Sequence, residues 1–248
     1  MISALAITYN EESNIESYIK SLSFADEIII VDSNSTDETA KIAKQNNVTF
    51  IQREFDNFSN QKNFAIAQAN YDWIVFFDLD ETISHELAEE IQKKIASNSN
   101  TVAYNVKRNF HFMGKHIKYS GFQNDLATRV FKKKHCKYNN KLVHETLEIN
   151  GKIETLKNRS EHYSYKGYDN YNDKLTRYSK LQAEMLYKKN VRPNLYHFLV
   201  RPWYRFFHQY IIKLGFLDGK EGFILAYLSA FAVYKRYIQL WTMYRNID

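Results

Sequence analysis

The first hundred residues alternate between two apolar rhythms. Residues 3–9, 27–32, 48–51 and 73–77 are short continuous runs, the second built on Ile28-Ile29-Ile30-Val31. Runs of this length and β-branched content suit strands covered on both faces. Between them apolar positions recur at helical spacing, as in Ile15, Ile19 and Leu22, and again in Leu87, Ile91 and Ile95 behind Ser84. Ser35 with Glu38 has capping-box spacing and predicts a helix start there that continues through Ala40, Ala43 and Lys44. A further helix is expected over 60–69. This βαβαβαβα order predicts a parallel sheet layered with helices, and polar residues follow the strands at Asn10, Asp32 and Asp78. Ligands of such sheets bind at those carboxyl ends.

Beyond residue 100 the pattern changes. Residues 101–106 and 126–131 read as strands around an irregular, His-containing stretch, and the chain is helical from Tyr171 onward. Breaks fall near 188–194, with Pro193, and at Gly215 to Gly222. No repeat or low-complexity segment is present.

Composition narrows the class. Of 248 residues, 44% are hydrophobic and 25% charged; the mean hydropathy of −0.53 excludes a protein dominated by membrane spans. Seven Gly and two Pro exclude collagen-like and proline-rich readings. The single Cys136 permits no internal disulfide and fits a reducing, cytoplasmic setting, and no secretory signal is visible in the first residues. Charge is divided: residues 1–100 carry seven basic and seventeen acidic side chains, residues 101–248 twenty-seven and eleven. An acidic front half argues against a nucleic-acid groove, whereas the basic, aromatic back half suits phosphate-bearing ligands or anionic lipid.

The strongest chemical signal is Asp78-Leu79-Asp80-Glu81 directly after an apolar strand. Hard divalent cations take oxygen ligands and complete their shells with substrate phosphates, so clustered carboxylates here point to Mg²⁺ or Mn²⁺. A turn and helix-cap cluster is the plain structural alternative. The run also resembles the first motif of haloacid-dehalogenase-type phosphatases, with Asp78 as nucleophile, but that family's later acidic motif is missing and three strands precede the run. A non-catalytic module binding sugar nucleotides or lipid is a further alternative.

With the other strand ends included, Ala6-Ile7-Thr8-Tyr9-Asn10-Glu11-Glu12, Asp32-Ser33-Asn34-Ser35-Thr36-Asp37, Asn60-Gln61-Lys62-Asn63 and Asp78-Leu79-Asp80-Glu81 resemble, in order and spacing, the nucleotide-sugar-binding half of inverting family 2 glycosyltransferases. Together with Val143-His144-Glu145, His162 and Gly215-Phe216-Leu217-Asp218-Gly219, the chain is similar to the branch of β-glucosyltransferases of lipopolysaccharide core biosynthesis. The resemblance implies an α/β, Rossmann-like GT-A domain (the nucleotide-diphospho-sugar transferase fold) over residues 1–165 and a helical C-terminal extension over 166–248.

It further implies that Thr8, Tyr9, Asn10 and Glu11 line the nucleotide pocket, that Asp32 and Ser33 meet base or ribose, and that Gln61 and Lys62 lie near base or diphosphate. Asp78 and Leu79 join that site, and Asp80, Asp78 and His162 are the expected ligands of Mn²⁺ or Mg²⁺. For the base that deprotonates the acceptor, Glu145 is the first candidate and Asp125 the second; Arg129 is a candidate for phosphate or acceptor binding. The implied reaction moves a hexose, glucose from UDP-glucose, onto a glycolipid or saccharide acceptor such as the lipopolysaccharide inner core. Residues 195–248, too short in apolar runs to span a bilayer, mix aromatic and basic side chains as interfacial helices do. They are expected to meet the inner face of the cytoplasmic membrane, with packing on the catalytic domain or on another subunit as the plain alternative.

Overall fold

In the computed structural model, which describes residues 1–97, 99–139, 146–165 and 167–247, the predicted strands form one side of a mixed sheet. β1 (Ile2–Thr8), β2 (Glu27–Asp32), β3 (Thr49–Gln52) and β4 (Trp73–Phe76) run parallel in the order β3-β2-β1-β4. Register places Thr8 beside Asp32 and Asp32 beside Gln52, which brings the carboxyl ends level. The sheet continues through β5 (Glu81–Thr82), β6 (Thr101–Phe112), β7 (Lys115–His116), β8 (Leu126–Lys132) and β11 (Lys152–Tyr165), in the order β4-β8-β6-β11-β5 with β7 paired to β6. β8 lies antiparallel to β4. A separate hairpin joins β9 (Cys136–Tyr138) and β10 (Leu147–Ile149).

Alternation along the strands feeds two cores. Ala4, Ala6, Ile30 and Val75 face one side, where Ile15 and Tyr18 of α1 (Ile15–Ser21) and Leu87 and Ile91 of α4 (His85–Ala96) cover them. Leu5, Ile29, Val31, Ile74 and Phe76 face the other, against Ala65 and Ile66 of α3 (Phe58–Gln68). Both faces of each central strand are therefore dry, which explains their unbroken apolar runs.

The caps divide. Ser84 accepts from the Leu87 amide at 3.3 Å, as its position predicts. Ser35 does not cap: α2 begins at Thr39 and runs to Gln45, and the Ser35 hydroxyl donates to the Asp32 carboxylate instead. The hydroxyl oxygen that a cap would use accepts from the Asn10 amide at 2.8 Å, so Ser35 ties β1 to β2 and not to the helix. The stretch read as irregular after residue 106 is largely strand, since β6 extends to Phe112 before turning into β7. β11 has no counterpart among the expected strands.

The chain divides into two compact units, one of Met1–Arg108 with Leu126–His162 and one of Asn109–Asp125 with Tyr163–Asp248. In the second, α5 (Tyr168–Lys188) packs on α7 (Lys220–Arg245), where the Ser179 hydroxyl donates to the Ala232 carbonyl at 2.9 Å. Residues 196–212 are helical throughout, with α6 (Arg201–Phe207) at their centre between wider turns. Asp218 is buried and accepts from the amides of Lys118 at 2.9 Å and Tyr119 at 3.0 Å and from the Ser120 hydroxyl at 2.9 Å. The Gly215 to Gly219 motif is thus a clasp for the 118–120 turn. Gly222 follows from the same packing, because a Cβ there would lie 1.9 Å from the Gly215 carbonyl oxygen. Gly222→Ala is expected to lower stability by about 1–3 kcal/mol through overpacking, read as a fall in Tm of roughly 2–4 °C per kcal/mol; an unchanged Tm would remove this account of the motif.

Candidate functional site

The carboxyl ends of β1 and β2 are wired together before any ligand arrives. Asn10 and Asn34 both adopt left-handed backbone, with φ of 54° and 61°, which Asn tolerates better than most residues. The Asn10 amide donates to Ser35 Oγ at 2.8 Å, and Asn10 Oδ1 accepts from the Thr36 amide at 2.9 Å. The Glu11 amide donates to Thr39 Oγ1 at 2.8 Å. Asp32 is fully buried and accepts from the Ser35 amide at 2.9 Å as well as from its hydroxyl, so here it shapes the loop. Thr8 is buried and its hydroxyl has no hydrogen-bond partner, while Tyr9 stands exposed beside it.

From the third crossover, Gln61 is buried and links Ser33 Oγ at 3.2 Å to the Arg53 guanidinium. Lys62 lies over the Tyr138 ring, its Nζ 4.9 Å from the centroid. The structure therefore draws Thr8, Tyr9, Asn10, Glu11, Asp32, Ser33, Gln61 and Lys62 to one edge of the parallel sheet.

The fourth strand end carries the charge. Leu79 turns inward to the core, and the Glu81 amide donates to the Asp78 carbonyl at 3.0 Å, closing the turn. Beneath it the buried Tyr18 hydroxyl donates to the carbonyls of Phe77 at 2.8 Å and Leu5 at 3.2 Å. Burial pushes that phenol well above its usual pKa, and the nearby Asp78 and Glu81 charges add to the shift. β5 then pairs with β11 so that Glu81 sits opposite His162. Residues directly opposite share a face of the sheet, which brings His162 to Glu81 from 81 residues downstream.

Two arginines complete the arrangement. Arg129 of β8, 5% exposed, forms ion pairs with both Asp78 and Glu81, its Nε donating to Glu81 Oε2 at 3.1 Å. Arg108 of β6 donates to Glu81 Oε1 at 3.0 Å. Burial alone would raise the Asp78 pKa, but Arg129, with Lys62 and Arg108 beyond it, holds that carboxyl well below the usual range. Arg129, expected as a phosphate or acceptor contact, is instead spent on these carboxylates. An Arg buried on a central strand needs such partners.

Asp80 is different. Its Oδ2 lies 3.4 Å from His162 Nε2, and its Oδ1 is buried with no hydrogen-bond partner. Ligand atoms of Asp80, Glu81 and His162 lie within 4.8 Å of one another. Two carboxylates and an imidazole form an oxygen-rich donor set suited to a hard or borderline divalent cation. The three acids Asp78, Asp80 and Glu81 outnumber the two guanidiniums by one charge, and the orphaned Asp80 oxygen would gain a partner. The grouping differs from the expected one: Glu81 joins Asp80 and His162, whereas Asp78 faces Arg129. Among the expected bases, Glu145 lies outside the described residues, and Asp125 belongs to the other compact unit, where its amide donates to the Phe122 carbonyl at 3.2 Å.

Residues 3–151, which carry this edge of acidic and amide side chains, match the family model Glycosyl transferase family 2. The chain belongs to glycosyltransferase family 2. A relative described as an uncharacterized glycosyltransferase of Rickettsia bellii is 31% identical over 96% of this chain and 85% of its own length. The lipopolysaccharide core biosynthesis glycosyltransferase LpsC of Rhizobium meliloti is 26% identical over 95% of this chain and 93% of its own. Among solved structures, glucosyl-3-phosphoglycerate synthase of Mycobacterium tuberculosis, crystallised with Mn²⁺, UDP and glucosyl-3-phosphoglycerate, superposes with a TM-score of 0.39 and 26% identity. That superposition covers 45% of this glycosyltransferase and 44% of the synthase, so the chain spans less than half of that structure. Family membership and the α/β nucleotide-diphospho-sugar transferase architecture, with its helical C-terminal segment, stand together. The family match sets aside the phosphatase reading of Asp78, which Arg129 holds in an ion pair.

Proposed function

We propose that this glycosyltransferase moves a hexose, glucose from UDP-glucose, onto a glycolipid of the lipopolysaccharide inner-core type, with inversion at the transferred carbon and with Mn²⁺ or Mg²⁺ as cofactor. One observation carries the metal: the buried, unpartnered Asp80 Oδ1 beside His162 at the end of β4. The likeness to LpsC over nearly the full length of both chains supports the acceptor class.

Asp80, Glu81 and His162 are the residues that would hold the cation, with Glu81 fixed in place by Arg108 and Arg129. When bound, such an ion offsets the charge that develops on a departing diphosphate. The loops of Thr8 to Glu11 and Asp32 to Ser35 would receive the nucleoside, their turns already set by internal hydrogen bonds, and Asp78 and Leu79 would border it. Lys62, a point charge at the strand ends that carry Asp32 and Asp78, is placed for phosphate, with Gln61 holding the adjacent loop. An inverting transfer also needs a carboxylate to take the acceptor's proton. Glu145 is proposed for that role, with Asp125 as the alternative. A glycolipid acceptor keeps the enzyme at a cytoplasmic membrane surface, and among the described residues no helix is long and apolar enough to cross one. Contact through residues 195–248 fits this arrangement.

The test incubates the full chain with lipopolysaccharide-core lipid and a panel of UDP-hexoses. UDP-glucose is expected to exceed UDP-galactose and UDP-N-acetylglucosamine by about tenfold or more in kcat/KM, with loss of transfer in EDTA and recovery on adding Mn²⁺. Equal rates across the panel would overturn the donor; undiminished transfer in EDTA would overturn the metal.

A further inference from the structure

α7 has two apolar faces. One, through Leu225, Ala226, Val233, Tyr237 and Leu240, is buried in its own unit. The other is open: Ile224, Tyr227, Phe231, Tyr234, Ile238 and Trp241 are each between 36% and 58% exposed. Their spacing of three, four, three, four and three residues places all six on a single stripe. Continuing that spacing by four residues at either end reaches Lys220 and Arg245, so the stripe has a cation at both ends, about 37 Å apart at helical rise. The Arg245 guanidinium lies over the Trp241 ring at 5.4 Å. The one acid of α7, Glu221, is held by Lys115 Nζ at 2.7 Å.

The apolar surface extends beyond the helix. Phe198 meets Tyr234 edge-on at 6.2 Å, and Tyr210 and Phe206 meet Phe223 at 5.7 Å and 5.6 Å. Around these contacts Leu199, Trp203, Tyr204 and Phe207 stand exposed. A shallow pocket of about 440 Å³ at the start of the stripe is lined by Tyr210, Gly219, Lys220, Phe223 and Ile224, which sets an ammonium beside apolar rings. Exposed apolar surface on this scale marks an interaction face.

The end charges decide the occupant. In a second copy pairing through the same stripe, a parallel arrangement sets Lys220 on Lys220 and Arg245 on Arg245, and an antiparallel one sets Lys220 on Arg245. Either orientation opposes like charges, and the stripe carries no acid to relieve them. A bilayer containing anionic phospholipid meets both requirements, since acyl chains accept the aliphatic and ring carbons while phosphates accept the cations. Tyr227, Tyr234 and Trp241 each combine a ring with a hydrogen-bonding group, as side chains at headgroup depth do.

We propose that the open stripe of α7 lies in the plane of an anionic phospholipid bilayer, its apolar residues among the acyl chains and Lys220 and Arg245 on lipid phosphates. This gives residues to the membrane contact invoked for a glycolipid acceptor and rests on that reading only for its biological setting.

The test is flotation of the full chain with vesicles of phosphatidylcholine alone or mixed with phosphatidylglycerol, without sugar nucleotide or acceptor, so that its outcome is independent of transfer. Binding is expected on the mixed vesicles. Phe231→Ser with Trp241→Ser should weaken it by roughly tenfold or more on either composition, whereas Lys220→Gln with Arg245→Gln should weaken it by roughly thirtyfold on the anionic vesicles only. Ile153→Ser, exposed on the other unit, serves as the control and should bind as the parent does. These side chains are exposed, so an unchanged far-UV spectrum and Tm confirm that each variant is folded. The proposal fails if the parent does not bind the mixed vesicles, if neither pair changes binding, or if anionic lipid makes no difference; a dimer that Phe231→Ser dissociates would assign the stripe to a second copy instead.

Discussion

Asp80→Asn is expected to reduce transfer by about a thousandfold, because a cation that stabilises a leaving diphosphate takes several kcal/mol off the barrier and each 1.4 kcal/mol is a factor of about ten. The substitution keeps the volume of the side chain and removes its charge. Since Asp80 Oδ1 has no hydrogen-bond partner and an amide can keep the 3.4 Å contact of Oδ2 with His162 Nε2, the fold loses little, and the Tm without metal should stay within about 1 °C of the parent. What should disappear is the rise in Tm on adding Mn²⁺ together with UDP-glucose, since only binding to the folded state produces that rise. Measuring both separates a lost ligand from a damaged fold. A variant that transferred at the parental rate and was still stabilised by manganese would remove Asp80 from the site.

Arg129→Leu should have the largest effect on stability. It strips Asp78 of its ion pair and leaves buried Glu81 to Arg108 alone. Breaking a buried pair from one side costs about 3–5 kcal/mol, a fall in Tm on the order of 10 °C for a chain of this size. The pH dependence gives a sharper reading. In the parent the Asp78 pKa is depressed on folding, so its contribution is present above the ordinary carboxylate pKa and is lost as pH falls through the folded value. Without Arg129 only Lys62 and Arg108 oppose desolvation, so the depression is largely lifted and the variant loses less than the parent as pH falls. The Tm gap between parent and variant should therefore narrow between about pH 7 and pH 3. A gap of equal size at both would show that lost packing, not charge, is responsible.

The front of the molecule was legible because its strands are dry on both faces: β2 stands out as Ile28 to Val31, and a carboxylate or amide interrupts each apolar run where the chain leaves the sheet. Asp80 could be named by its place behind a strand, and His162 only by resemblance. The Arg129 network could not. Its partners lie 48 and 51 residues away, and an isolated Arg in a half-apolar run reads as a solvated edge residue until topology places β8 beside β4. Ser35 misled for a related reason, since its spacing to Glu38 is local while the acceptor that captured it, Asp32, is fixed by the sheet. Glu81 was visible as one of three crowded acids, but its proximity to His162 depends on a strand pairing that no local pattern announces. Gly222 is set by a contact of helix backbone with backbone, which leaves no periodic trace.

The pairing of β5 with β11 has a consequence for how related chains diverge. Two residues of β5 hold Glu81 opposite His162, and side chains along a strand switch faces at every step. Losing or gaining one residue within β11 ahead of His162 would preserve the hydrogen-bonded ladder yet turn the imidazole to the far side. Length variation in this lineage is therefore expected to accumulate in the connections on either side of β11, and any change inside the strand should come in even steps.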